Sequence, residues 1–307
     1  MPDDTHSITE TQLSDEARDL RAAAAAQKAL VGKLDRVAVV VSVVVPVILV
    51  VLKTAWEPIT PIAVFYAFGV LLAYVLVLDR VRTARLRSAA RSREWHDCDV
   101  LDLPWNQRAT GDEPSPAELD EWNNTVAASK ETGGQRGGDP FPREVDDLPL
   151  PYARLACQSL ALYWEPAAVQ RYVKALWLWT GASVLVLLLA GLAIRTTTET
   201  AVTTLLALSP MVYWVWREQQ RWQIAGRRAG RVLQRLESAW RNAMAATIQP
   251  SGLPLLARGI QDDIYAFRRR QPVIPRWAAK RYWHRLSYDD RHLGRFVDQY
   301  AQRGEEA

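Results

Sequence analysis

The chain of 307 residues carries 38 Lys and Arg against 34 Asp and Glu, for a formal net charge of +4, and 49% of it is hydrophobic. That length admits two or three compact units. The two distant cysteines, Cys98 and Cys157, argue against a disulfide scaffold, so both thiols are read as reduced.

The average composition hides the main feature, because the apolar residues are gathered into four blocks. Residues 1–36 form a charged leader in which Leu13, Ala17, Leu20 and Ala24 recur three or four apart, a helical stripe. This leader places the first apolar run too late for a secretory signal. Between Arg36 and Lys53 the chain reads VAVVVSVVVPVILVVL without a charge, and Pro58–Leu78 is likewise uncharged. A helix crosses a bilayer core in about 20 residues, with a lower limit near 17. The first run is short by that measure, but Lys53 can snorkel and Trp56 lies at interfacial depth. Residues 37–79 therefore read as a transmembrane hairpin.

Residues 80–174 form an insert. It opens with six arginines between Arg80 and Arg93, and from Glu94 to Leu150 it holds fourteen acids against four bases. TGDEPSPAELDEW predicts a turn and a short helix capped by Ser115, with Glu118 at the capping-box position. KETGGQRGGDPFP predicts a mobile loop, and its glycines lack the lysine and following helix of a phosphate-cradling loop. DDLPLPYARLACQSLALYWEP predicts a helix leading to the third run.

The third run, Ala175–Ile194, and the fourth, Thr200–Trp216, are also uncharged, making 175–216 a second hairpin. The fourth carries Thr200, Thr203, Thr204 and Ser209, and Pro210 is expected to kink it. In the tail, residues 217–307, Ala225, Ala229, Val232, Leu236, Trp240 and Ala243 form a helical stripe. Leu256, Ile260, Ile264 and Phe267 form the apolar face of a helix that Pro272 ends. Pro275 begins another helix. Asp289 caps a last one with Leu293, Phe296, Val297 and Tyr300 inward.

Seven further arginines lie between Arg217 and Arg241, whereas the links KTAWE and RTTTE each hold one base and one acid. The positive-inside rule then puts both termini and the insert in the cytoplasm and both links outside. The expected fold is an all-α membrane protein of the inner (plasma) membrane. Two transmembrane helical hairpins, four spans in all, carry a mostly helical cytoplasmic module built from the insert and the tail.

Chemical constellations are sparse. His96, Cys98, Cys157 and His284 could supply four zinc ligands, but structural sites bring ligands in tight pairs and the second pair is missing, so no metal is expected. Asp97 and Asp99 would share a face in an extended segment and, with Asp102, could act as acid and base. No nucleophile motif accompanies them, and no enzyme activity is expected. None of the four runs holds an ionisable group of the kind coupled transporters use. A pore assembled from several copies could be lined by Thr200, Thr203, Thr204 and Ser209, although such hydroxyls also satisfy backbone groups or bridge helices.

Three segments and the two-hairpin layout carry a resemblance over nearly the whole chain: REWHDCDVLDLPWN (93–106), VDDLPLPYARLACQ (145–158) and ARGIQDDIYAFRRRQPVIPRW (257–277). Together they resemble the SMODS-associated four-transmembrane (S-4TM) effectors, a family expected to form pores. Arg93 and His96 stand where the family often has Gln and Phe, and Arg276 where it often has an acid. The resemblance implies a membrane effector of anti-phage defence that arrests an infected cell (abortive infection). A cyclic oligonucleotide made by a partner nucleotidyltransferase would switch it on. Its partners would be the lipid bilayer, further copies of itself in a homo-oligomer and that nucleotide, with no nucleic-acid duplex and no resident cofactor.

Such a ligand needs aromatic planes for bases and arginines for phosphates. Trp105 and Asn106 could supply a plane and an edge reader, and Tyr265, Arg268 and Arg269 a second plane and phosphate contacts. Against this, LPWN can serve as a docking plug, with Trp105 as core anchor and Asn106 as turn cap. The alternative function is a membrane-anchored scaffold or sensor whose spans only hold a binding module.

Overall fold

The computed structural model describes residues 6–131, 141–163, 172–179, 181–182, 197–273 and 289–306. The glycine-rich loop at 132–140, most of the third apolar run, the helix begun by Pro275, and His284 lie outside the described residues. Among the described residues every regular element is helical. The chain divides into two compact units, one from segments 1–29, 85–168 and 225–307, the other from 30–84 and 169–224.

In the first unit, Ser7 caps the Ile8–Thr11 helix by accepting from the Glu10 amide. Asp146 accepts from the Ser7 hydroxyl at 2.9 Å and the Ile8 amide at 3.0 Å. Gln12 exchanges two hydrogen bonds with the Phe141 backbone, replacing water at a buried position. The next helix starts only at Asp15, so Leu13 falls in the preceding turn and is exposed, while Ala17, Leu20 and Ala24 are buried as the stripe requires. Leu20 joins Ala23, Trp122 and Val126 in a small cluster, in which the Trp122 indole donates to Ser88 Oγ.

Ser115 Oγ accepts from the Glu118 amide ahead of the Pro116–Glu131 helix. The Glu118 carboxylate does not close the capping box; it pairs with Arg91 at 2.9 Å. The main core is built where stripes from distant segments meet. Ala225, Ala229, Leu236 and Trp240 of the Thr198–Met244 helix join Leu155 and Leu162, then Leu253, Ile260 and Ile264, then Leu293 and Phe296. Each fully buried Leu or Ile there contributes about 1.5–3 kcal/mol.

The second unit takes residues 30–53 from the helical run Asp15–Lys53 and residues 60–84 from the run Thr60–Val100, each run long and apolar enough to cross a membrane. Neither is uniformly α-helical, for Val40–Val44 and Tyr74–Leu78 are π turns. The first π turn ends two residues before Pro46, whose missing N–H leaves the Ser42 carbonyl inside that turn without its usual helical donor. The fourth run forms the beginning of the Thr198–Met244 helix, which continues through Pro210. Pro210 cannot donate to the Leu206 carbonyl, and the Ser209 hydroxyl does so instead at 2.8 Å.

Large apolar side chains on these runs face outward. Phe65 is 77% exposed, Phe68 68% and Leu205 68%. Water does not tolerate an apolar surface this extended, whereas lipid does.

The charged end of this unit holds an ionic cluster. Arg82, nearly fully buried, pairs with Asp35 at 3.2 Å and Glu218 at 3.6 Å. Asp79 accepts from Arg217 and Arg221, and Glu218 accepts from the Trp222 indole at 2.7 Å.

Candidate functional site

The first unit contains a buried polar network on the inner face of two helices. On Asp79–Val100, Glu94, Asp97 and Cys98 are spaced three and four apart, on one side. On Leu253–Arg268, the residues Arg258, Gln261, Tyr265 and Arg268 recur at steps of three and four. They form a polar stripe beside the apolar one at Leu253, Ala257, Ile260, Ile264 and Phe267.

Arg258 is the hub. Its Nη2 donates to Glu94 at 2.5 Å and to Asp262 at 2.6 Å, and its Nη1 to the Pro104 carbonyl at 3.0 Å and to Cys98 Sγ at 3.1 Å. Gln261 Nε2 donates to Glu94 at 2.9 Å and Asp97 at 3.2 Å, and its carbonyl accepts from Gln158 at 3.1 Å. Asp97 also accepts from Arg268 and pairs with Arg93 at 3.0 Å and His96 Nδ1 at 2.9 Å.

Burial alone would raise the Asp97 carboxyl, but Arg268, Arg93 and the His96 hydrogen bond hold it well below the usual carboxylate range. His96 is pushed down to about 4, first by burial and then by Arg93, so its imidazole is neutral at pH 7. Its Nε2 is buried without a hydrogen-bond partner among the described residues. Burial and then Glu94 push Cys98 up to about 12, and burial pushes Cys157 well above its ordinary value. Both thiols are therefore protonated and poor nucleophiles.

The aspartates do not share a face. Residues 94–100 are helical, so Asp97 points into the network and Asp99 is exposed. Asp102 sits at a positive φ of 47° just past the helix, where it pairs with Arg154 at 2.8 Å. Of the residues considered for zinc, His96 turns to Asp97 and Cys98 to Arg258 and Glu94. Among the described residues no three His, Cys, Asp or Glu groups gather as a metal site would need.

Trp105 is half-buried, edge-to-face on Trp95 at 5.3 Å, and donates to the Gly111 carbonyl at 2.9 Å. Asn106 caps the short Gln107–Thr110 helix and donates to Asp262 at 2.6 Å, which brings LPWN onto the Leu253–Arg268 helix. Tyr265 is buried, and the Arg269 guanidinium lies 6.0 Å from its ring centre. Arg268 is enclosed in the network. In the apolar unit, Lys53 donates to the Thr200 carbonyl at 3.3 Å and to the hydroxyls of Thr203 and Thr204. Ser209 serves the Leu206 carbonyl.

The chain matches the family model described as the SMODS-associating 4TM effector domain over residues 6–291. It belongs to that family. No curated protein and no solved structure matches it. The network residues of this family member, from Arg93 to Arg268, all fall inside the matched range, and its two long apolar helices suit a membrane protein. Sequence reasoning missed Glu94, Arg258 and Gln261 as a set. The legible signal was the polar stripe 258, 261, 265, 268 running beside the apolar one, of which only Tyr265 and Arg268 were singled out.

Proposed function

We propose that this chain is an integral membrane effector of bacterial anti-phage defence. In this reading it permeabilises the inner membrane when its first unit, which holds the buried polar network, takes up a nucleotide second messenger, a cyclic oligonucleotide made by a partner nucleotidyltransferase. The observation that carries the reading is the single helical run Thr60–Val100. It is uncharged to Leu78 and carries Glu94 and Asp97 of the buried network near its other end. A ligand that redistributes the arginines of that network acts directly on a helix whose other end lies in lipid.

Two hairpins then supply four spans, with both termini and the insert cytoplasmic, as the arginine distribution requires. Several copies assemble around the hydroxyl-bearing run with Thr200, Thr203, Thr204 and Ser209. The network supplies the resting lock, because a buried pair deprived of one partner is strongly destabilised.

The test is dye release from vesicles holding the purified chain, with and without cyclic oligonucleotides. Ligand-dependent release supports the effector. Ligand binding without release in any condition points to a membrane-anchored sensor instead.

A further inference from the structure

The Arg235–Asp263 pair brings the Thr198–Met244 and Leu253–Arg268 helices together in the first unit, and four more arginines flank that contact in sequence. Arg228 and Arg231 come from the Thr198–Met244 helix, and Arg269 and Arg270 from the end of the Leu253–Arg268 helix and the residues after it. Among the described residues none of the four has an ion-pair partner, although the neighbouring Arg235 finds Asp263 and Arg258 finds Asp262 and Glu94. Arg269 lies against the Tyr265 ring, and its Nε is enclosed with no hydrogen-bond partner among the described residues. Burial first, then repulsion from Arg270, Arg231 and Arg269, holds Arg228 below its ordinary value. Like charges held together repel one another, and an anion bound among them relieves that repulsion.

We infer that Arg228, Arg231, Arg269 and Arg270 form a binding site for a soluble oligophosphate or phosphodiester, with the Arg269 guanidinium held beside the buried Tyr265 ring. Guanidinium forks match phosphate oxygens in pairs. Lipid headgroups share this chemistry, but they are poorly placed to reach it. Arg228 and Arg231 follow Trp216, the end of the uncharged run, by twelve and fifteen residues in sequence. The site deepens the proposed function, on which it rests for the identity of its ligand, by giving the messenger's phosphates a place to bind.

The experiment uses the full chain in phosphatidylcholine nanodiscs, titrated calorimetrically with inorganic tripolyphosphate at 0.15 M salt. The parent is expected to bind, and Arg228→Gln and Arg269→Gln each to weaken binding roughly tenfold, the loss of one charge-assisted contact. Arg143→Gln, an exposed charge elsewhere in the same unit, is expected to bind as the parent does.

Unliganded Arg228→Gln is expected to melt no lower than the parent, because it relieves repulsion. No binding by the parent, unchanged binding by both variants, or a melting loss with binding retained overturns the site. Binding abolished when phosphatidylglycerol replaces phosphatidylcholine identifies a lipid headgroup as the occupant and overturns the soluble assignment. The two readings fail separately. Tripolyphosphate binding without any cyclic-oligonucleotide-triggered leakage keeps the anion site and removes the effector. Leakage that persists in variants no longer binding tripolyphosphate keeps the effector and removes this site.

Discussion

Arg258 and Glu94, 164 positions apart in sequence, meet at 2.5 Å with the carboxylate fully enclosed. The pair fastens the Leu253–Arg268 helix to the end of the Asp79–Val100 helix, and Asp262, Gln261 and the Pro104 carbonyl use the remaining donors and acceptors around it. Removing one member leaves a buried charge short of its partner. Glu94→Ala and Arg258→Ala are each expected to cost about 3–5 kcal/mol of stability. The double variant should lose less than the sum of the two. Denaturation of the three variants in detergent checks this, and strict additivity would refute a shared contact.

That pair also marks the limit of what the sequence disclosed. The four apolar runs, the stripe from Ala225 to Ala243 and the inward face at Ile260, Ile264 and Phe267 were legible because helical spacing is local information. The Arg258–Glu94 contact has no local signature, since its partners are brought together only by the fold. Arg268 was misleading in a different way. It stands first in the string RRR and reads, with Arg269, as a phosphate contact, yet the helix turns it inward to Asp97 and leaves Arg270 exposed. The segment from Glu94 to Val100 was open to an extended reading, and helical register is what separates Asp97 from Asp99.

His96 makes stability depend on pH. Its folded value near 4 lies below the ordinary 6.5, so between these the unfolded chain binds more protons than the folded one. Stability therefore rises with pH across that window, and acidification from pH 6.5 to 4 is expected to remove about 3 kcal/mol at this site. Asp97 acts with the same sign in a lower window, below its ordinary 3.8. His292, also held near 4 by burial and Arg295, adds a second contribution in the His96 window. Melting curves at pH 7 and 5 should show a smaller acid shift for His96→Leu than for the parent. An equal shift would assign the dependence elsewhere.

Lys53 bears on the proposed pore. Its ammonium reaches the Thr200 carbonyl and the Thr203 and Thr204 hydroxyls, so a pore lined by those hydroxyls carries a lysine at the same level in every copy. A ring of cations favours anions. Reversal potentials in a chloride gradient are expected to show anion preference in the parent and a shift toward cations in Lys53→Glu. Conductance with no change in preference would remove these threonines from the lining.

Topology follows from the arginines. Reporters inserted at Lys130 or after Ala307 are expected to register cytoplasm, and one near Thr198 the outside. An external signal at Lys130 would contradict the two-hairpin arrangement.

Trp105 separates a structural from a sensing role for LPWN. Its indole stacks edge-on against Trp95, donates to the Gly111 carbonyl, and belongs to the half-buried rim of the core. Truncation to alanine loses packing, an aromatic pair and a hydrogen bond, about 2–4 kcal/mol together for a partly buried ring. A base-stacking role predicts a different signature: about 1–3 kcal/mol lost from nucleotide binding with folding intact. Trp105→Phe sharpens the comparison, since it keeps an aromatic face for a base but loses the bond to Gly111. The contacts favour the structural outcome: Trp105→Ala should melt lower and bind nucleotide normally in the folded fraction, with Trp105→Phe intermediate in melting. If Trp105→Ala melts as the parent does but loses nucleotide binding, Trp105 reads the ligand and the Gly111 contact is incidental.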